Sequence, residues 1–511
     1  MRRALLSVYD KTGVAAFALE LRRLGFELVA SGGTARLLAD EGIPVIPLED
    51  LTGFAEMLGH RVVSLHPAVH GGILARRDVP EDVADLAAHG IEPIDLVCVN
   101  LYPFEQTVGR LDVEWDDAIE QIDIGGPALL RAAAKNHAHV IPVCRPADYD
   151  LVLRELRDRD DVSVATRREL AARVFTRTAA YDSAVAGWML RGQGFPETLV
   201  PVFDHALDLS YGENPHQQAV YYSQRGARTH VLARVEQLHG KPLSYNNLND
   251  LSAAKLLSIE LDGPACVIVK HGNPCGVGVA ETIEAAYEKA LAADPVSAFG
   301  GVVVLTRPVS ATLGERLAEQ FVEVLFAPGY DAVAIEALAQ KPAVRILNDT
   351  ERRAFDPSEW DLKRVMGGLL VQERDVEPDP LDEMEVVCGG LETAAWDDLL
   401  FAWTVVKHTL SNAIVIARGG QTLGVGAGQM SRVDAVRIAV EKAREHGHSL
   451  EGAALASDAF FPFADGPALA LEAGISAIIQ PGGSKRDDEV VAAVRDAGAA
   501  MVFAGRRHFR H

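Results

Sequence analysis

The sequence predicts an α/β fold in two parts: a doubly wound parallel sheet, then a longer α/β region that divides into two similar units. Three observations carry this. Short apolar runs alternate with helix-length amphipathic segments from the N-terminus onward. At 511 residues the chain exceeds what one hydrophobic core organises. A Lys-His pair also recurs beside strand-like runs, in KHGNPCGVG from Lys270 and in KHTLSNAIVIARGG from Lys407, which reads as an internal repeat.

In the first part, residues 4–8, 27–30, 45–46, 96–100 and 140–143 are apolar runs of strand length. Helical patterns fill the gaps, as at 14–24 and 128–135, and two further helices are expected within 151–193. The turn formers of GQGFP, 192–196, mark a linker, so the domains are read as 1–195 and 199–511. In the second part, strands are expected at 265–269, 301–305, 413–417, 453–457, 477–480 and 500–503, with helices such as 283–293 and 434–446 between them. A Pro- and acid-rich stretch, 373–385, separates the two units.

Composition narrows the function. A net charge of −23 disfavours nonspecific binding to nucleic acid or anionic lipid, so positive charge for an anionic ligand must be gathered locally. Hydrophobic content is 48% and mean hydropathy is +0.07, which suits a globular enzyme with sizeable cores. Apolar runs are short and interrupted, and the N-terminus lacks a secretory pattern. Five scattered cysteines without a CxxC pair fit reduced, cytoplasmic thiols and no zinc site.

Two loops of the first part suit phosphate. SVYDKTG, with Ser7, Lys11 and Thr12, follows the first strand; Ser31, Gly32, Gly33 and Thr34 follow the second. Glycine admits close backbone approach, hydroxyls donate, and a helix N-terminus supplies unpaired N–H groups. Each loop alone is a common turn with a helix cap; two at successive strand ends favour a phosphate. Asn100 and Tyr102 leave another strand, Ser64 stands in SLHP, and Asp123 and Gly125 precede a helix ending at Lys135. A phenol, a carboxylate and an ammonium together suit proton transfer around an uncharged heterocycle.

In the second part, Lys270 and His271 close an apolar strand before the turn-forming NPCG. Histidine is the readiest base near neutral pH, and an adjacent lysine can stabilise developing negative charge. YGENPHQ, KPLSYNNLND, GVGAGQMSR and DAFFPF are dense in turn formers, glycine or aromatics. GVGAGQMSR reads as flexible enough for a planar ligand to approach its backbone.

LLSVYDKTG, SGGTA, LHPAVHGGIL, NLYPFEQT and QIDIGGPALLRAAAKNH in series, followed by YGENPHQ and VKHGNPCG and closed by RHFRH, resemble the bifunctional AICAR transformylase/IMP cyclohydrolase family over essentially the whole chain. The resemblance implies a methylglyoxal-synthase-like first domain and a second region of two cytidine-deaminase-like units. It implies that Lys11, Ser31, Gly32, Gly33, Thr34 and Asn100 hold a nucleotide, with Ser7, Thr12, Ser64 and Gly125 beside them. Tyr102, Asp123 and Lys135 would serve ring closure. Lys270 and His271 would be the formyl-transfer pair, with Tyr211, Phe299, Glu323, Asn412 and Arg507 around the aminoimidazole nucleotide. Arg432, Val433, Phe460 and Asp465 would lie toward 10-formyltetrahydrofolate, a co-substrate. No tightly bound cofactor and no metal are implied, and family members are homodimers. Two positions depart from the family pattern: Val63 and Ser210 stand where relatives carry a cation. A methylglyoxal-synthase-like lyase leaves residues 200–511 without a use. A nucleotide sensor leaves the Lys270-His271 and Tyr102-Asp123-Lys135 sets without one.

Overall fold

The computed structural model describes residues 2–59, 61–109, 113–227, 232–351 and 354–511. They form two compact units, Met1–Val202 with Gln224–Gly226, and Phe203–Ser223 with Ala227–His511. Among the described residues, the first unit contains a five-strand parallel sheet. It is built from β1 (Arg2–Val8), β2 (Phe26–Ala30), β3 (Ile46–Pro47), β4 (Leu96–Asn100) and β5 (Ile141–Val143), in the order β3-β2-β1-β4-β5. The strands are apolar at nearly every position because both faces are covered. Ala4 and Leu6 pack with Phe17, Leu21 and Val152 on one side, whereas Leu5 packs with Ile73, Leu130 and Val174 on the other.

In the second unit, β6 (Phe203–Leu209) pairs with β7 (Ala219–Gln224). Among the described residues a twelve-strand sheet follows, and its first half comprises β8 (Glu236–His239), β9 (Ala265–Lys270), β10 (Asn273–Val279), β11 (Val302–Leu305), β12 (Val324–Ala327) and β13 (Arg345–Asn348). The hairpin of β14 (Asp361–Val365) and β15 (Gly368–Gln372) intervenes. The second half comprises β16 (Glu385–Cys388), β17 (Ile414–Arg418), β18 (Gln421–Gly426), β19 (Ala454–Ser457), β20 (Ala477–Gln480) and β21 (Ala500–Phe503). The order β16-β21-β20-β19-β17-β18-β10-β9-β11-β12-β13-β8 reads as the same six-strand unit twice, joined where β10 and β18 run antiparallel. One face carries the helix Tyr245–Ser258 and its counterpart Thr393–Lys407 over a shared core; among the described residues, the other carries four helices in the first half, one of them the single turn Pro295–Ala298, and three in the second.

The duplication is real, but the Lys-His motifs are not its equivalent positions. Lys270 ends a strand, whereas Lys407 ends the helix Thr393–Lys407. There Lys407 and His408 are buried and both hydrogen-bond the Glu260 carboxylate, at 3.1 and 2.8 Å. Burial holds the His408 imidazole below its ordinary pKa. The true counterpart of Lys270-His271-Gly272 is Arg418-Gly419-Gly420, the turn between β17 and β18.

Two further expectations are corrected. Asn273–Gly276 is the start of strand β10, not a turn, and Gly424 and Gly426 lie in strand β18, not in a flexible loop. Their glycines serve close packing. A Cβ at Gly276 or Gly278 would meet the Ala290 or Ala286 carbonyl of the overlying helix. Gly424 and Gly426 stand in the same relation to Ala439 and Ala435. A helix backbone fills the space that GVGAGQMSR was expected to offer a ligand at these two glycines.

Candidate active sites

In the first unit, the two loops nominated for phosphate leave the carboxyl ends of adjacent parallel strands, the usual ligand edge of such a sheet. Ser31 begins the helix Gly32–Asp40 without capping it; its hydroxyl instead lies 2.6 Å from that of Ser7. The first amides of this helix therefore face outward without a side-chain cap. Lys11 reaches the same corner, donating to Thr34 Oγ1 at 3.0 Å and to the Val8 carbonyl. Burial lowers its pKa. Asn100 Oδ1 accepts from the amides of Tyr9 and Asp10, at 2.6 and 2.8 Å, and so ties β4 to the Lys11 loop.

Tyr102 stands beside this loop, its ring 5.6 Å from that of Tyr9. Its pKa is raised by burial, then by the Asp123 charge and by Tyr9. Asp123 is raised too, by burial, although hydrogen bonds from the backbone of Gly126 and Tyr102 pull it back. Gly126 must lack a side chain because the Asp123 carboxylate occupies that space, and Gly125 because Ser64 Oγ lies 2.7 Å from where its Cβ would be. The structure thus groups Ser64, Tyr102, Asp123 and Gly125. Lys135 closes the helix that Gly125 opens, about 15 Å along its axis at 1.5 Å per residue. Val63 packs against the core of this unit, an apolar use of the position. Tyr181, which sequence reasoning missed, accepts the Asp123 amide at 2.7 Å and fixes that loop from a distant helix.

The second unit gathers its candidates along one edge of the large sheet. Lys270 donates to the Phe299 carbonyl at 2.8 Å, and His271 is exposed with φ of +55°. Among the described residues, the His271 ring has no hydrogen-bond partner. The Asp250 carboxylate accepts the amides of His271 and Gly272, at 3.2 and 2.7 Å. Asn273 Oδ1 accepts the Leu410 amide at 2.9 Å, which brings the loop holding Asn412 alongside. Phe299 is 59% exposed, and Glu323 is held by the buried Arg345 at 2.7 Å.

Asn412 Oδ1 accepts from Arg432 at 2.7 Å, and Arg432 also donates to Ser457 Oγ and the fully buried Asp458. Arg432 is thus a buried brace with its guanidinium largely occupied. Val433, beside it in the helix Arg432–Glu445, is half-buried; Phe460 is 38% exposed, and Asp465 opens the helix Asp465–Glu472. Tyr211 accepts the Tyr245 amide through its carbonyl. Ser210 turns its hydroxyl onto the Leu243 carbonyl at 3.1 Å, a backbone tie rather than a phosphate contact.

The C-terminal tail reaches this edge as well. The amide of Ser411 donates to the Arg510 carbonyl, and Arg507 lies exposed over the Phe509 ring. His508 is buried between Asp375 and Asp379, at 2.6 and 2.8 Å from its two ring nitrogens. Burial alone would lower its pKa, but the two carboxylates outweigh this and lift it to about 9. Sequence offered no signal for this clamp, because its acids stand in the stretch read only as a separator.

Residues 133–442 match the family model described as AICARFT/IMPCHase bienzyme, and residues 13–128 match the MGS-like domain. The bifunctional purine biosynthesis protein PurH of Anoxybacillus flavithermus is 49% identical over 516 residues, covering 100% of both chains. A solved structure titled crystal structure of ForH is 42% identical over 37% of this chain and 98% of its own, with a TM-score of 0.34.

Proposed function

The chain belongs to the AICARFT/IMPCHase bienzyme family, and on that premise we propose which of its residues carry the two activities. It is a bifunctional transferase and hydrolase of the last two steps of de novo purine biosynthesis: formyl transfer to AICAR giving FAICAR, then dehydrative closure to IMP. The formyl donor in our reading is 10-formyltetrahydrofolate, bound and released as a co-substrate.

The 5-amino group of AICAR is a weak nucleophile because its lone pair is delocalised. His271 takes its proton as it attacks the formyl carbon, and Lys270 stabilises the tetrahedral oxyanion or protonates the leaving folate nitrogen. The observation that carries this assignment is the unpaired His271 ring, held in a left-handed turn beside Lys270. Tyr211, Phe299, Glu323, Asn412 and Arg507 border the nucleotide, and Val433, Phe460 and Asp465 the folate, with Arg432 shaping that wall. In the first unit, the loops of Ser7, Lys11, Thr12, Ser31–Thr34 and Asn100 take the phosphate and ribose. Tyr102 and Asp123 move protons as the carboxamide nitrogen attacks the formyl carbon and water leaves. Lys135 supplies positive charge from the far end of its helix. We place the enzyme in the cytoplasm as a homodimer.

The test separates the two sites. His271→Ala is expected to lower tetrahydrofolate release roughly 10²–10⁴-fold while cyclisation of supplied FAICAR stays at the parent rate. Tyr102→Phe is expected to do the reverse, and Lys135→Ala to lower cyclisation by a smaller factor while sparing transfer. Transfer within a factor of about three of the parent in His271→Ala rejects the base assignment. Equal loss of both activities from any one change rejects the two-site division.

A further inference from the structure

We propose that Asp250 is a positioning residue for formyl transfer: its carboxylate clamps the turn that presents His271. The inference rests on the assignment of His271 as base. Asp250 sits in the helix Tyr245–Ser258 and is buried. One oxygen takes the His271 amide at 3.2 Å and the other takes the Gly272 amide at 2.7 Å. Both residues have positive φ, +55° and +75°, so their successive N–H groups converge on one acceptor. With an amide on each oxygen and its side chain buried, Asp250 acts through the turn.

The second half of the sheet repeats the device without the chemistry. Asp398, in the helix Thr393–Lys407, accepts the Gly419 amide at 2.5 Å. In both halves the aspartate reaches the backbone amide 21 residues further on. Gly419 and Gly420 have φ of +60° and +67°, the same turn. Glycine adopts it freely, so the clamp there holds nothing that would otherwise leave. Histidine does not adopt it freely, and a left-handed non-glycine residue persists only where its surroundings over-determine it. Asp250 is the group that does so. Without it His271 relaxes toward negative φ, and its imidazole is no longer presented beside Lys270.

The experiment is Asp250→Asn, which sets an amide NH2 against one of the two backbone donors, with Asp398→Asn as the matched change in the other half. For Asp250→Asn, kcat for formyl transfer is expected to fall roughly 10–100-fold, as displacement of a catalytic group by about 1 Å does. KM for AICAR should stay within about threefold and FAICAR cyclisation should be unchanged. Asp398→Asn should leave both activities at the parent level. In a His271→Ala background, Asp250→Asn should cost nothing further, because the residue acts only through the histidine. An Asp250→Asn enzyme with parental kcat, or an equal further loss in the His271→Ala background, overturns the inference. Full transfer by His271→Ala alone instead overturns the underlying assignment. If Asp250→Asn loses cyclisation through misfolding, Asp250→Glu, which keeps the charge but moves it by one methylene, carries the same comparison.

Discussion

In the first half of the large sheet, β9 and β10 are joined through His271-Gly272; in the second, β17 and β18 are joined through Gly419-Gly420. Both turns have two consecutive left-handed residues, and both are held by an aspartate from the helix beneath. Both open into a strand whose alternate glycines meet the carbonyls of the next helix. What the halves share is scaffold. What differs is that one turn carries histidine where the other carries glycine, although the backbone conformation disfavours it. Strain kept at one copy of a duplicated turn and absent from the other points to function more sharply than the Lys-His pair does by itself.

The largest effect expected from this comparison tests the shared scaffold. Gly276→Ala and Gly424→Ala each drive a methyl into a helix carbonyl that cannot move without shifting the whole helix. Both should destabilise at or beyond the ~1–3 kcal/mol usual for overpacking, and by similar amounts. Chemical denaturation of the two variants checks this. If one is tolerated and the other is not, the halves are not packed alike.

These glycine strands also show where the sequence was legible. Strands such as β4, β20 and β21 announced themselves as apolar runs, because a strand buried on both faces leaves no polar alternation. β10 and β18 did not. Their glycines exist because a helix lies against them, a long-range fact that a local window reads as a turn or a flexible loop. The same holds at the site. Lys270, His271, Tyr102 and Asp123 could be nominated from residue type and strand ends. Asp250 looked like one more turn-closing residue in YNNLND, and His508 pairs with acids more than 120 residues away. The repeat was visible, but its register was not, since similar letters at Lys270 and Lys407 outvoted the topology.

A second, somewhat smaller effect concerns how the halves end. β13 leads on toward the segment holding Asp375 and Asp379, and β21 leads into the tail holding His508, so the two exits meet at one imidazolium. Trp403 donates to Asp379 at 2.7 Å, the His508 amide donates to the Asp458 carbonyl, and the Lys407 charge helps keep both aspartates ionised. The folded pKa, about 9, exceeds the unfolded value near 6.5. The stabilisation is therefore fully present below about pH 6.5 and is lost as pH rises through about 9. His508→Gln should lower the melting temperature at pH 6.5 and converge with the parent near pH 10. The parent's advantage has an upper bound of about 3 kcal/mol. A constant difference across that range would mean that packing, not charge, holds the tail.

The smallest expected change in stability is the most informative, because it opposes stability to activity at a single position. A non-glycine residue in the left-handed region costs about 1–2 kcal/mol relative to glycine, and glycine's freedom in the unfolded chain takes part of that back. His271→Gly should therefore stabilise the protein by about 0.5–1 kcal/mol, while formyl transfer falls roughly 10²–10⁴-fold. Gly419→His places the same side chain in the matching turn, above the matching aspartate. It should destabilise by about the same 0.5–1 kcal/mol and leave transfer untouched, since Lys270 and the Phe299 carbonyl it binds stand beside the other turn. Denaturant midpoints and transfer rates on the two variants give four readings that must agree. Were His271→Gly to destabilise, the His271 side chain would be contributing contacts that offset its backbone strain. The contrast between the two turns would then lie in packing and not in a strained catalytic residue.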